Sequence, residues 1–138
     1  MPLVTRWFVR LSFLYLVAAL IVGIGLAARH VGWTASWVAR LSPTYFHFFM
    51  LGWVTQLIFG VAHWMFPNYA PDAPRGREGL VWGALIGVNG GLILRALAEP
   101  LVGRAAVWGW VLVLSALLQW FGVVAFVWNT WPRVRPRR

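Results

Sequence analysis

Four apolar stretches, residues 7–28, 44–66, 79–98 and 105–128, each reach the roughly 20 residues needed to cross a bilayer, and none contains Asp or Glu. In lipid a backbone must satisfy its own hydrogen bonds, so such stretches form helices. The 138-residue chain is 61% apolar and 11% charged, against roughly half and a quarter for a soluble domain. A folded core of this size cannot hide so much apolar surface from water. A soluble enzyme, a disordered tail and a disulfide-stapled secreted module are therefore excluded. The pattern predicts an all-α membrane protein, a single four-transmembrane-helix bundle set in the lipid bilayer.

The connections 29–43, 67–78 and 99–104 are polar or carry Pro and Arg. Ser42-Pro43 reads as an N-cap followed by Pro at the first helical position. Pro67 and Pro132 should end the second and fourth spans. In the first connection Trp33, Trp37, Val38 and Leu41 recur at helical spacing, which suits either a short interfacial helix or an ordered loop on the membrane. Arg6 and Arg10 precede an apolar run, as in a signal peptide, but that run (11–28) exceeds the roughly 7–15 residues of such a core. It is expected to stay as the first span.

The net charge is +9, and all twelve basic residues are Arg. They lie between and beside the apolar blocks instead of forming one face, so they read as an orientation signal and not as a nucleic-acid surface. Arg6, Arg10, Arg75, Arg77, Arg133, Arg135, Arg137 and Arg138 fall on one side, and Arg29, Arg40 and Arg104 on the other, with Arg95 near that second side. The positive-inside rule then puts both termini in the cytoplasm. Nine of the eleven Trp sit near span ends or in the first loop, as an aromatic belt requires; Trp53 and Trp120 lie well inside.

Polar groups within the spans are few, and each is expensive in hydrocarbon: His47, Gln56, His63, Asn89, Arg95 and Gln119. The absence of Cys removes thiolate chemistry, iron–sulfur clusters and Cys-ligated zinc. His47 has two readings. It can bond a backbone carbonyl, or serve as a neutral nitrogen ligand to haem above an apolar wall of Leu51, Val54 and Ile58. His63 lies about 24 Å further along an ideal helix and about 160° around it, so the two cannot share one metal. Beside Trp64, His63 reads as an interfacial anchor. His30, on the same side as His47, is a candidate second ligand.

Arg95 stands one turn before Glu99. It forms either a local ion pair or, together with Arg104 on the same side, a contact for the carboxylates of a cofactor centred near His47. Gly79, Gly83, Gly87 and Gly91 line one face of the third span. That stripe suits close helix packing, or, around Gly87 and Gly91, room for a flat cofactor.

The stretch His47-Phe48-Phe49-Met50-Leu51-Gly52-Trp53 through His63-Trp64-Met65-Phe66-Pro67 resembles the second transmembrane helix of heme-copper oxidase subunit I, nearest its cbb-type oxidase and nitric oxide reductase branch. The segment from Asn89 through Arg95 to Glu99-Pro100 is similar to that group's third-helix region, and the span order to its first four helices. The resemblance implies that His47 is an axial ligand of a low-spin haem near the outer face, the side that the Arg count gives it. It further implies a haem b protein of a bacterial-type inner membrane, acting in electron transfer or diatomic-gas binding. The expected partners are a second copy or respiratory-complex subunits. Three His cannot supply a copper site, a high-spin haem site and a bis-His haem together, so binuclear-centre chemistry is not expected of this polypeptide alone. A haem-free structural or assembly subunit is the alternative. A small-solute channel around Gln56, Asn89 and Gln119 is a third reading.

Overall fold

Pro2, with φ −59° and ψ 153°, sets the chain to enter the first helix, α1 (Leu3–Ala28). This start precedes the apolar stretch by one turn, because Val4 and Phe8 point the same way and are fully buried. The computed structural model describes residues 1–68, 71–72 and 75–134, so Arg135, Arg137 and Arg138 of the charge count lie outside the described residues. Four helical runs are long and apolar enough to cross a membrane: Leu3–Val31, Ser36–Met65, Glu78–Leu101 and Ala106–Arg133.

The second run is not uniform. A 3₁₀ turn, Ser36–Leu41, leads straight into α2 (Ser42–His47), which carries Pro43 in its first turn. Ser42 is already helical, its amide bonded to the Ala39 carbonyl, and its side chain makes no cap bond. The expected N-cap is thus not used, since the chain arrives in helical form. The predicted interfacial segment is this 3₁₀ turn, with Trp37 half exposed and Val38 against Gly25. A π-helix, Phe48–Thr55, follows, and α3 (Gln56–Met65) completes the span. Phe66 is extended ahead of Pro67, as the residue before proline must be.

The third and fourth spans are α4 (Glu78–Ala98) with the 3₁₀ turn Glu99–Leu101, and α5 (Ala106–Thr130) with the 3₁₀ turn Trp131–Arg133. They form the tightest pair. A Cβ on Gly87 would lie 2.9 Å from the Leu118 carbonyl oxygen, one on Gly91 would lie 2.7 Å from that of Ser115, and one on Gly122 would lie 2.9 Å from the Val88 amide. These glycines permit backbone-to-backbone contact, the usual solution in lipid, where no hydrophobic force draws helices together. Gly79 and Gly83 face open space, so only the far half of the stripe packs.

The core sits at the end of the bundle that holds the termini. Phe59 and Phe126 stack at 3.8 Å between ring centroids, and Phe8 meets both edge-on at 6.1 and 6.2 Å. Val4, Val81, Ala84 and Leu85 close around them. Large side chains such as Ile24, Ile86 and Trp110 point outward, which only lipid accommodates over so much surface.

Filling the α4–α5 contact should be costly. Gly122→Leu is expected to lower unfolding stability in detergent by about 1–3 kcal/mol. Gly83→Ala, which adds a methyl in open space, should instead be neutral or stabilising by up to about 1 kcal/mol. Thermal or denaturant unfolding of the two variants against wild type checks both.

Candidate functional site

His47 ends α2, and its ring is turned back along the helix so that Nδ1 lies 2.8 Å from the Pro43 carbonyl oxygen. A carbonyl only accepts, so Nδ1 carries the hydrogen and the neutral ring keeps its Nε2 lone pair. The π-helix begins at the next residue. With i→i+5 bonding, it breaks the 100° advance on which a helical face depends, and π segments inside helices are frequent at functional sites. Thr55 reinforces it by donating from Oγ1 to the Met50 carbonyl at 2.9 Å.

His47 lines a groove of about 400 Å³ between the second, third and fourth spans, within the range of roughly 300–1,000 Å³ usual for ligand sites. Its second-span wall is Phe46, Met50 and Leu51, and α5 contributes Ala116, Gln119, Trp120 and Val123. The wall therefore differs from the Leu51, Val54 and Ile58 face expected of a uniform helix. The π-helix moves Val54 and Ile58 off it, and Ile58 lines a separate apolar depression with Met65.

Arg95 of α4 is the charged residue of the groove. Its Nη1 donates to Glu99 Oε1 at 2.7 Å, one turn on, with both side chains largely buried. The Arg95 Nε is buried and has no hydrogen-bond partner. The guanidinium thus combines the expected local ion pair with an unused donor. Gln119 is 7% exposed and donates from Nε2 to Ser115 Oγ, which in turn donates to the Gly91 carbonyl at 2.7 Å. These bonds fix α5 against α4 beside Arg95.

Two of the expected site residues come together, and three do not. His47 and Arg95 share the groove. His30 sits exposed on the 3₁₀ turn Arg29–Val31 after α1, and no α1 residue lines the groove, because α1 packs along the second span, with Gly23 against Tyr45. Gly87 and Gly91 offer no room for a flat cofactor, since α5 occupies the space beside them. Gln119, which the sequence marks as a polar side chain within a span and as part of the channel reading, is a groove residue. Nothing in the sequence singled out Met50 or Ala116. Among the described residues no group of three or more His, Asp or Glu converges as a metal cluster.

His63 is not the interfacial anchor that its neighbour Trp64 suggested. It is buried at 2% exposure against Arg133, itself 3% exposed. The Arg133 guanidinium donates to the His63, Phe66 and Pro67 carbonyls at 3.0, 2.6 and 3.0 Å, and its Nη1 lies 3.5 Å from His63 Nδ1. A residue that reads as a topological charge is thus the C-terminal cap of the second span. Gln56 and Asn89 bond reciprocally between helices at 3.0 and 3.4 Å, and each also donates to a carbonyl of its own helix. Their amides serve as interhelical links, which leaves little of the channel lining imagined for them.

No protein-family model, curated protein or solved structure matches the chain.

Removing the Arg133 cap would leave buried carbonyls without donors. Arg133→Gln should destabilise the fold by about 2–4 kcal/mol, read as a lower unfolding midpoint in detergent. Asn89→Leu and Gln56→Leu should each destabilise the fold. Their double-mutant cycle should return a coupling of about 0.5–1.5 kcal/mol.

Proposed function

We propose that this chain is an integral membrane haem b-binding protein related to heme-copper oxidase subunit I. His47 would be the axial ligand, and Arg95 the partner of a haem carboxylate. One observation carries the reading: a groove that is otherwise nearly all apolar holds an imidazole whose Nδ1–H is tied to the Pro43 carbonyl and, from another helix, a guanidinium with an unbonded Nε. Anchoring one ring nitrogen on a carbonyl is how protein surroundings orient a ligating His and leave the other nitrogen available. An arginine beside a dry apolar wall suits a flat group that is greasy at its centre and anionic at its edge. The likeness of residues 47–67 to the second helix of the oxidase subunit points to the same imidazole.

The Arg asymmetry supports both termini lying in the cytoplasm of a bacterial-type inner membrane. The groove runs from the middle of the bundle to His47 and Arg95, which then lie toward the outer face. Phe46 and Trp120 on its rim are about 60% exposed, so a second copy of the chain or a respiratory-complex subunit would close it. Haem held by His47 and Arg95 would supply one-electron redox chemistry or diatomic-gas binding. A second reading, a haem-free structural subunit, draws on the fact that His47 and Arg95 each already have a partner within the chain.

The test is the absorption spectrum of protein purified after expression with ample haem. A Soret band is expected that shifts on dithionite reduction and is lost in His47→Ala while helical content is retained. Arg95→Gln should keep the band but weaken haem affinity roughly tenfold. Well-folded wild type without haem, or an unchanged band in His47→Ala, overturns the proposal and favours the haem-free reading.

A further inference from the structure

The end of the bundle that carries the termini has features the haem reading does not use. There Asn129 of α5 holds the connection before α4: its Oδ1 accepts from the Arg77 amide at 2.7 Å, and its Nδ2 donates to the Arg75 carbonyl at 3.0 Å. Gly76, with φ +78°, makes this close approach, and a Cβ there would fall 2.5 Å from Asn129 Oδ1. The result is a pocket of about 440 Å³ of mixed character, lined by Gly76, Arg77 and Asn129 together with Leu80, Trp128 and Pro132.

Directly beside it runs an apolar groove of about 490 Å³ along α5, lined by Val123, Val124, Val127 and Trp131. The two share Trp128 and Pro132 as a common wall, so they lie side by side against an exposed tryptophan. The groove runs along the exposed side of the fourth span, and the second pocket lies at the end of that span. The Arg77 side chain has no hydrogen bond or ion pair among the described residues, where Arg95–Glu99 is the ion pair formed. Arg6, Arg10, Arg75 and Arg133 belong to the same end, against Asp72 and Glu78, and Glu78 accepts a bond from Trp82 Nε1 at 3.3 Å.

We infer that this paired cavity is a binding site for one anionic phospholipid, its phosphate held at Arg77 and one acyl chain laid along Val123, Val124 and Val127. Charge selects the class: an end this rich in Arg attracts anionic headgroups, at roughly fivefold in affinity per basic side chain near the surface. The shape requires a molecule that is anionic at one end and apolar along its length, which a free phosphate is not. The site meets the His47 groove at Val123, but its anionic end at Arg77 is separate from His47 and Arg95, and it does not rest on the haem proposal.

Native mass spectrometry of the full chain, released from micelles holding equal amounts of phosphatidylglycerol and phosphatidylcholine, tests it. Wild type should retain phosphatidylglycerol at least about fivefold over phosphatidylcholine. Arg77→Gln should bring that ratio close to one. Val127→Trp, which fills the groove and leaves Arg77 in place, should reduce retention of both lipids. Equal retention in wild type, an unchanged ratio in Arg77→Gln, or full displacement of phosphatidylglycerol by millimolar inorganic phosphate each overturns the inference.

Discussion

The close approach of α4 to α5 decides where everything else in the bundle can lie. Gly87, Gly91 and Gly122 let the two backbones touch, and the Ser115 hydroxyl reaches the Gly91 carbonyl because nothing stands between them. Arg95, one turn beyond Gly91, is thereby placed beside Gln119 at the wall of a groove. A wider spacing would leave Arg95 facing lipid, where a guanidinium is costly. Instead it is largely buried and paired with Glu99. The helix pairing and the candidate site are one piece of geometry.

A second constraint is the absence of water at membrane depth, which drives polar groups to find partners in the chain, though Arg95 Nε and Trp53 Nε1 have none. The spans meet it by short, local means. Gln56 and Asn89 use each other, Arg133 closes the carbonyl end of the second span, and His47 reaches back to Pro43. Each bond also fixes a position. Arg133 ties the last turn of the fourth span to the end of the second, and Asn129 ties the connection at 75–77 to α5. At the other end Arg40 bonds the Pro100 and Val102 carbonyls across two connections.

Much of this was legible in the residues. Span number and order followed from apolar length, and the stop at Pro67 from proline chemistry, because those signals are local; Pro132 instead sits inside the 3₁₀ turn Trp131–Arg133, and the helical run passes it. The meeting of His47 and Arg95 was also readable, since both lie a few residues from the same end of antiparallel spans. The π-helix was not. Residues 48–55 contain no Pro and are nearly all apolar, so they offer no period from which a change of pitch could be seen, and the wall below His47 was placed one strip away. Arg133 and His63 were misjudged for a related reason. Composition separates a buried cap from a surface charge only when the tertiary partner is known, and that partner lies some seventy residues away. His30 failed because a short 3₁₀ turn and Gly32 redirect the chain after α1.

The central claim is that the Nε2 of His47 is the protein's bond to iron. Its most direct test is chemical rescue: the reduced-minus-oxidised absorption spectrum of wild type, of His47→Gly, and of His47→Gly supplied with imidazole. The account predicts a haem b difference spectrum in wild type that is lost in the variant and returns when free imidazole occupies the vacated space. A difference spectrum that persists unchanged in His47→Gly without added imidazole would place the iron on another residue and contradict it.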